Sequence, residues 1–174
     1  MSFNLMKSVP KVTWDVLRHS IIDHRCTYPF VRKPEVHEQY QRHIQNIKAN
    51  YNSIGDYIKV RHLRYNNTGG NFITKGNESL SFALVENDFP YDIDESIKHF
   101  VFWSIYENDI NNLQIALKKF WTNKDNLLWF ENELSNKSVT DLWHVQVFIY
   151  DYKYTSMKNN YTIPSLFTMP IRMI

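Results

Sequence analysis

In the segment DLWHVQVFIYD, residues 141–151, side chains alternate with the period of a β-strand, and His144 and Gln146 fall on the same side. Trp143, Val145, Val147 and Ile149 occupy the other side, which is wholly apolar and must face a core. An imidazole beside a primary amide can do chemistry. The histidine is a nucleophile or general base near neutral pH, and the amide can donate to a phosphoryl or carbonyl oxygen. Polar residues on the solvent side of an antiparallel sheet would give the same pattern without any chemistry. The two readings differ in whether that face is a cleft or a surface.

Further candidates lie upstream. His99 shares a strand face with Ile97, Val101 and Trp103, among aromatic neighbours and with no same-face carboxylate, so alone it reads as a core histidine satisfied locally. The turn NDFPYD sets Asn87, Asp88 and Asp92 around a rigid Phe-Pro-Tyr element. Such a loop either presents binding groups, with Tyr91 and the nearby Trp103 as walls, or closes its own backbone hydrogen bonds. Arg32 and Lys33, with RHLR at 61–64, form either a small phosphate-binding patch or a solvated helix end. The histidines at 19, 24, 37, 43 and 62 make no tight ligand cluster, and His19 with Asp23 is too few for zinc, so no metal or cofactor is expected. Cys26 has no evident activating neighbour and reads as structural.

Three amphipathic helices must come first: residues 13–25 with Thr13 as N-cap, a second opening at Pro34, and a third from Ser53 to about Leu63. Val36, Tyr40, Ile44, Ile47 and Tyr51 form the stripe of the second. Residues 66–79 hold three of the four glycines and read as a long loop. Strands follow at 80–86 and 97–106, antiparallel neighbours rich in β-branched and aromatic residues. A helix then carries Ile110, Leu113, Leu117 and Phe120, and a polar connection containing LLWFENELSNKS leads to the strand at 142–150. The expected fold is α+β in a single domain: a helical lobe (1–65) packed on an antiparallel sheet within a strand-strand-helix-strand core (80–152), with an irregular tail (153–174).

Bulk properties narrow the partners. A net charge of +2 is too small to argue for duplex nucleic acid. The opening MSFNLMKSVPKVTW has no apolar signal region, and no apolar run is long enough to span a bilayer, so neither export nor membrane insertion is expected. One cysteine excludes an internal disulfide and points to a reducing, cytoplasmic setting. No Walker or dinucleotide-type glycine loop is present.

Taken together, VRKPEVHEQY, YNSIGDYIKVRHL, VENDFPYDIDESIKHFVFW, WFENELSNKSV and WHVQVFIY resemble a fungal family named for its N-acetylglucosamine-induced member, over about residues 12–150. That resemblance implies an intracellular protein linked to amino-sugar metabolism. The order strand, proline turn, strand with an inward histidine, helix, then a strand bearing His-x-Gln is also similar to the histidine-triad (HIT-like) superfamily. On that alignment His144 matches the nucleophilic histidine and Gln146 the final motif position, while Leu142 stands where the first triad histidine would be. A backbone carbonyl, or Asp141, would then have to orient the imidazole. The resemblance implies a histidine-dependent nucleotidyl or phosphoryl hydrolase or transferase acting on a nucleotide or nucleotide sugar. His144 and Gln146 would act directly, with His99, Asn87, Asp88, Tyr91, Trp103 and Arg32 shaping the pocket. The alternative is a non-catalytic protein that binds a ligand or a protein partner in the same cleft.

Overall fold

The computed structural model describes residues 11–22, 30–68, 71–74, 78–118 and 124–150. Four α-helices appear among them: α1 (Trp14–Ile22), α2 (Pro34–Asn50), α3 (Ile54–Arg61) and α4 (Ile110–Lys118). The strands are β1 (Tyr65–Thr68), β2 (Asn71–Thr74), β3 (Phe82–Glu86), β4 (Ile97–Ser104), β5 (Leu127–Phe130) and β6 (Trp143–Tyr150). The fold is α+β, as the sequence pattern predicts. Its main sheet runs β3-β4-β6-β5 and is antiparallel throughout.

Helix starts follow local chemistry. Thr13 Oγ1 accepts from Val16 N at 3.4 Å at the head of α1. Pro34 opens α2, where its missing N–H leaves no bond unmade. Ser53 caps α3, accepting from Asp56 N at 3.0 Å while its own hydroxyl donates to Asp141 Oδ2 at 2.7 Å. Gly55 lies directly beneath that carboxylate, and a Cβ there would come within 2.2 Å of both its oxygens. The head of α3 is therefore clamped to the approach to β6.

The two sheet faces differ in kind. One is dry: Phe82, Phe100, Phe102, Trp143, Val145 and Val147 pack beneath Leu113, Ala116 and Leu117 of α4. This is the apolar side read from the 141–151 alternation. The opposite face carries two separate apolar clusters. One joins Ile58, Leu63, Leu80, Val101, Trp103 and Leu142. The other joins Val12, Leu17, Ile93, Ile97, Leu128 and Phe148. The helical lobe packs on this face, with α3 over the first cluster and α1 over the second.

Two expectations change. The segment 66–79, read as a loop, contains most of a hairpin in which Tyr65 pairs with Thr74 and Thr68 with Asn71, around the dipeptide Gly69-Gly70. A two-residue glycine connection favours such hairpins, but the Asn and Thr on either side offer no apolar alternation to betray the strands. The connection before β6 likewise contains β5, a short edge strand with Leu128 and Phe130 buried and Trp129 facing out. Four residues are too few for periodicity to stand out from the polar stretch after them. The tail reading, Cys26, His24 and the end of the first predicted helix lie outside the described residues. No helix among the described residues is long and apolar enough to cross a membrane.

The clamp at α3 predicts that Ser53→Ala lowers stability by about 1 kcal/mol, the usual cost of losing a serine N-cap. Urea denaturation measures it, and an unchanged midpoint would show that the cap does not hold this helix.

Candidate functional site in the cleft beneath the helical lobe

Between the two apolar clusters of the lobe-facing side lies a cavity of about 310 Å³. Its floor is β4 and β6, whose register sets Trp103 opposite His144 and Val101 opposite Gln146. Tyr40, His43 and Ile44 of α2 and Tyr57 of α3 form the roof. The 87–91 turn closes one side, and Asn132, Asn136 and Ser138, from the β5–β6 connection, close the other. The polar face of the 141–151 strand is thus a covered cleft.

The turn is fastened to the lobe at three points. Val12 N donates to Asp92 O at 3.3 Å, Asp92 N to Val31 O at 2.8 Å, and Arg32 Nε to Phe89 O at 2.9 Å. Asn87 Oδ1 also accepts from Phe89 N at 2.9 Å, so both readings of NDFPYD hold: the turn closes its own backbone and also lines the cavity. The Arg32 guanidinium lies 4.1 Å from the Tyr40 ring centroid and 5.4 Å from that of Tyr91.

His99 is 3 % exposed and lies behind Gln146, outside the lining of the cavity. Its Nδ1 accepts from Tyr91 N at 3.3 Å, so Nε2 carries the proton and donates to Gln146 Oε1 at 2.7 Å. The Asn87 amide nitrogen, 3.4 Å from the same Nε2, then meets a second donor and makes no bond with it. Tyr91 and Phe148 each stack on the ring, with centroids at 4.8 and 4.5 Å. Burial lowers the His99 pKa to about 3, with the Gln146 bond opposing and the Arg32 charge adding to the shift. His99 is a neutral core histidine that aims Gln146. With Oε1 engaged, Gln146 presents its amide nitrogen, which has no acceptor among the described residues.

His144, also 3 % exposed, has Nδ1 at 3.2 Å from the Leu142 carbonyl oxygen. A carbonyl only accepts, so Nδ1 holds the proton and Nε2 keeps its lone pair, unbonded among the described residues. Burial lowers the pKa of His144, against the Leu142 bond; the Lys137 charge lowers it further and Glu131 opposes. Lys137 and Glu131 form an ion pair at 2.5 Å. The orienting group anticipated at the Leu142 position is therefore that residue's own carbonyl. Asp141 turns away to Ser53.

Of the residues singled out in the sequence, His144, Gln146, Asn87, Asp88, Tyr91, Trp103 and Arg32 all line this cavity. The patch imagined from Arg32 and RHLR is divided: Arg32 and His62 line the cavity, whereas Arg61 and Arg64 are exposed outside its lining. Burial, with help from the Arg61 charge, brings the His62 pKa down to about 4. Sequence reading missed Tyr40, His43, Tyr57 and the Asn132, Asn136 and Ser138 wall. Tyr40 belonged to an amphipathic stripe that reads as core, and the wall to a polar connection that reads as solvent. No group of three or more potential metal-ligating side chains gathers among the described residues.

Folded His99 titrates near 3 and an unfolded histidine near 6.5, so the unfolded chain binds more protons between those values. Its contribution to stability is complete above about 6.5 and declines as pH falls toward about 3, by up to about 1.4 kcal/mol per pH unit. Unfolding free energies measured from pH 7 to about 4.5 should show this decline added to those of His62 and His144, and His99→Gln should make it shallower by the His99 share. An equal slope in that variant would place the titration elsewhere.

Residues 13–150 match a family described as protein of unknown function (DUF3605). A protein named HTC1 has a solved structure similar to this one, with a TM-score of 0.56 and 16 % identity, over 82 % of this chain and 87 % of that one. At that identity the likeness is one of fold. No curated protein matches the chain in sequence. The family match takes in the 87–92 turn, β4 and β6, every strand and loop that carries the His99, His144 and Gln146 arrangement, and the chain belongs to the DUF3605 family.

Proposed function

We propose that the cleft carries out histidine-dependent nucleotidyl or phosphoryl transfer, to water or a second substrate, on a nucleotide or nucleotide sugar. One observation carries the reading: His144 is held by the Leu142 carbonyl with its Nε2 lone pair unbonded, on the same strand face as the unengaged amide of Gln146. Nε2 attacks the phosphorus, an N–P bond forms, and the bond to the leaving oxygen breaks, that oxygen taking a proton from solvent. The Leu142 carbonyl accepts from the imidazolium that results, and Gln146 donates to the non-bridging oxygens as their charge grows. Water or a second substrate then attacks the phosphorus, the N–P bond breaks, Nε2 regains its lone pair, and the attacking oxygen gives its proton to solvent. Trp103 lines the cavity and offers aromatic surface to a base. The order of β3, turn, β4, α4 and β6 supports a HIT-like reading, and the single cysteine suits a cytoplasmic setting.

A second reading, ligand or partner binding without turnover, is favoured by the state of Lys137. Its charge reaches His144, but the ion pair with Glu131 holds it, so it is no ready proton donor to a leaving group.

A thermal-shift screen of nucleotides and nucleotide sugars, with product analysis of every hit, separates the two. Turnover is expected in the wild type, with an acid-labile phosphorus–histidine adduct trapped by rapid alkaline quenching. His144→Ala should abolish both adduct and turnover while ligand-induced stabilisation persists. Gln146→Glu keeps an acceptor for His99 but replaces the amide donor, and should cost about a hundredfold or more in kcat. Turnover unchanged in His144→Ala would sink the catalytic reading, and stabilisation of the wild type without any product would establish the second.

A further inference from the structure

The walls of the cleft are chemically unequal, and their inequality selects a ligand. Among the described residues Arg32 is the one arginine or lysine in the lining, against two exposed carboxylates, Glu86 and Asp88. Its guanidinium is held in place, because Nε donates to the Phe89 carbonyl while Cζ lies over the Tyr40 ring. The two terminal nitrogens bond no acceptor among the described residues. A guanidinium held this way is a fork matched to two oxygens of one phosphoryl group. Arg32 and Gln146 both line this one cavity, so fork and amide are offered to the same ligand.

We infer that the cleft receives a ligand with one phosphoryl group on an aromatic nucleoside, a mononucleotide or its ester, and that Arg32 binds the phosphoryl oxygens. The inference rests on the phosphoryl-transfer reading above and narrows it. A second or third phosphate would find no further arginine or lysine among the described residues of the lining and would meet Glu86 and Asp88. The histidine at 62 adds no compensating charge, because burial keeps it neutral at physiological pH. A volume of about 310 Å³ lies at the small end of ligand cavities, which span about 300 to 1,000 Å³. The opposite wall suits the rest of such a molecule, with Asn132, Asn136 and Ser138 offering amide and hydroxyl groups to sugar hydroxyls.

Isothermal titration calorimetry on the full chain, with adenosine, AMP, ADP, UMP, UDP, UDP-glucose and inorganic phosphate at fixed salt, tests this. At least one monophosphate should bind about tenfold or more tightly than its diphosphate, and AMP more tightly than adenosine. Inorganic phosphate alone should not register. Arg32→Gln should erase the advantage of AMP over adenosine, and Arg32→Lys should restore only part of it, because an ammonium lacks the fork. Glu86→Gln with Asp88→Asn, both exposed positions that should leave the fold intact, should narrow the gap between mono- and diphosphate. Diphosphates or UDP-glucose bound as tightly as monophosphates, an AMP advantage that survives Arg32→Gln in folded protein, or no nucleotide binding at all would each overturn the inference. Monophosphate binding without His144-dependent turnover would instead sink the catalytic reading and keep this one. His144-dependent turnover of a nucleotide sugar would do the reverse.

Discussion

The hydrogen bond from His99 Nε2 to Gln146 Oε1, 2.7 Å long and fully buried, is the contact on which the cleft depends. Two polar side chains inside a sheet-and-helix sandwich are costly unless each finds a partner. Here each satisfies the other across the diagonal between β4 and β6, and the backbone of the turn completes His99 at Nδ1. One bond fixes the histidine tautomer and orients the glutamine, leaving its donor end toward the cavity. It also links sheet and turn, because the backbone that completes His99 is that of Tyr91.

Around that bond the apolar packing is deliberately incomplete on one face. The side under α4 is a continuous dry layer, while the side under α1 to α3 is two clusters with the cavity between them. Aromatic rings bridge the gap because they are long enough to reach from lobe to turn: Tyr40 and His43 both contact Phe89, at 5.6 and 5.0 Å. Helix α2 buries Ile47 alone, so it spans the opening more than it fills it. The lobe thus both packs on the sheet, through Leu17, Ile58 and Leu63, and encloses space.

Periodicity made the main sheet and the helices legible, because β3, β4, β6 and α4 each bury a continuous apolar set. It also found His144 and Gln146, since polar residues in a strand whose other face is dry stand out. Neither the β1–β2 hairpin nor β5 carries such a set, one being Asn- and Thr-rich and the other only four residues long. The site was legible where it is local in sequence, as in the 87–91 turn. It was hidden where it is assembled at long range: α2 supplies Tyr40 and His43 from a stripe that looks like core, and no local pattern tells a stripe over a cavity from one over packed side chains. The Leu142 carbonyl was hidden for another reason. Every residue has one, and only folding shows which carbonyl an imidazole will meet.

The pairing of β4 with β6 has a consequence for how this site can change over time. Because neighbours on a strand point to opposite faces, an insertion or deletion of one residue between 142 and 144, with the register before it kept, would deliver His144 and Gln146 into the layer beneath α4 and turn Val145 and Val147 toward the cavity. Two buried polar groups would lose their partners and the dry layer would lose its packing in the same event. A length change at that point of β6 therefore costs the fold as well as the site, whereas substitutions at the exposed positions of α2 cost little. The packing that makes the sheet fold thus also holds the geometry of the cleft, whatever ligand it takes.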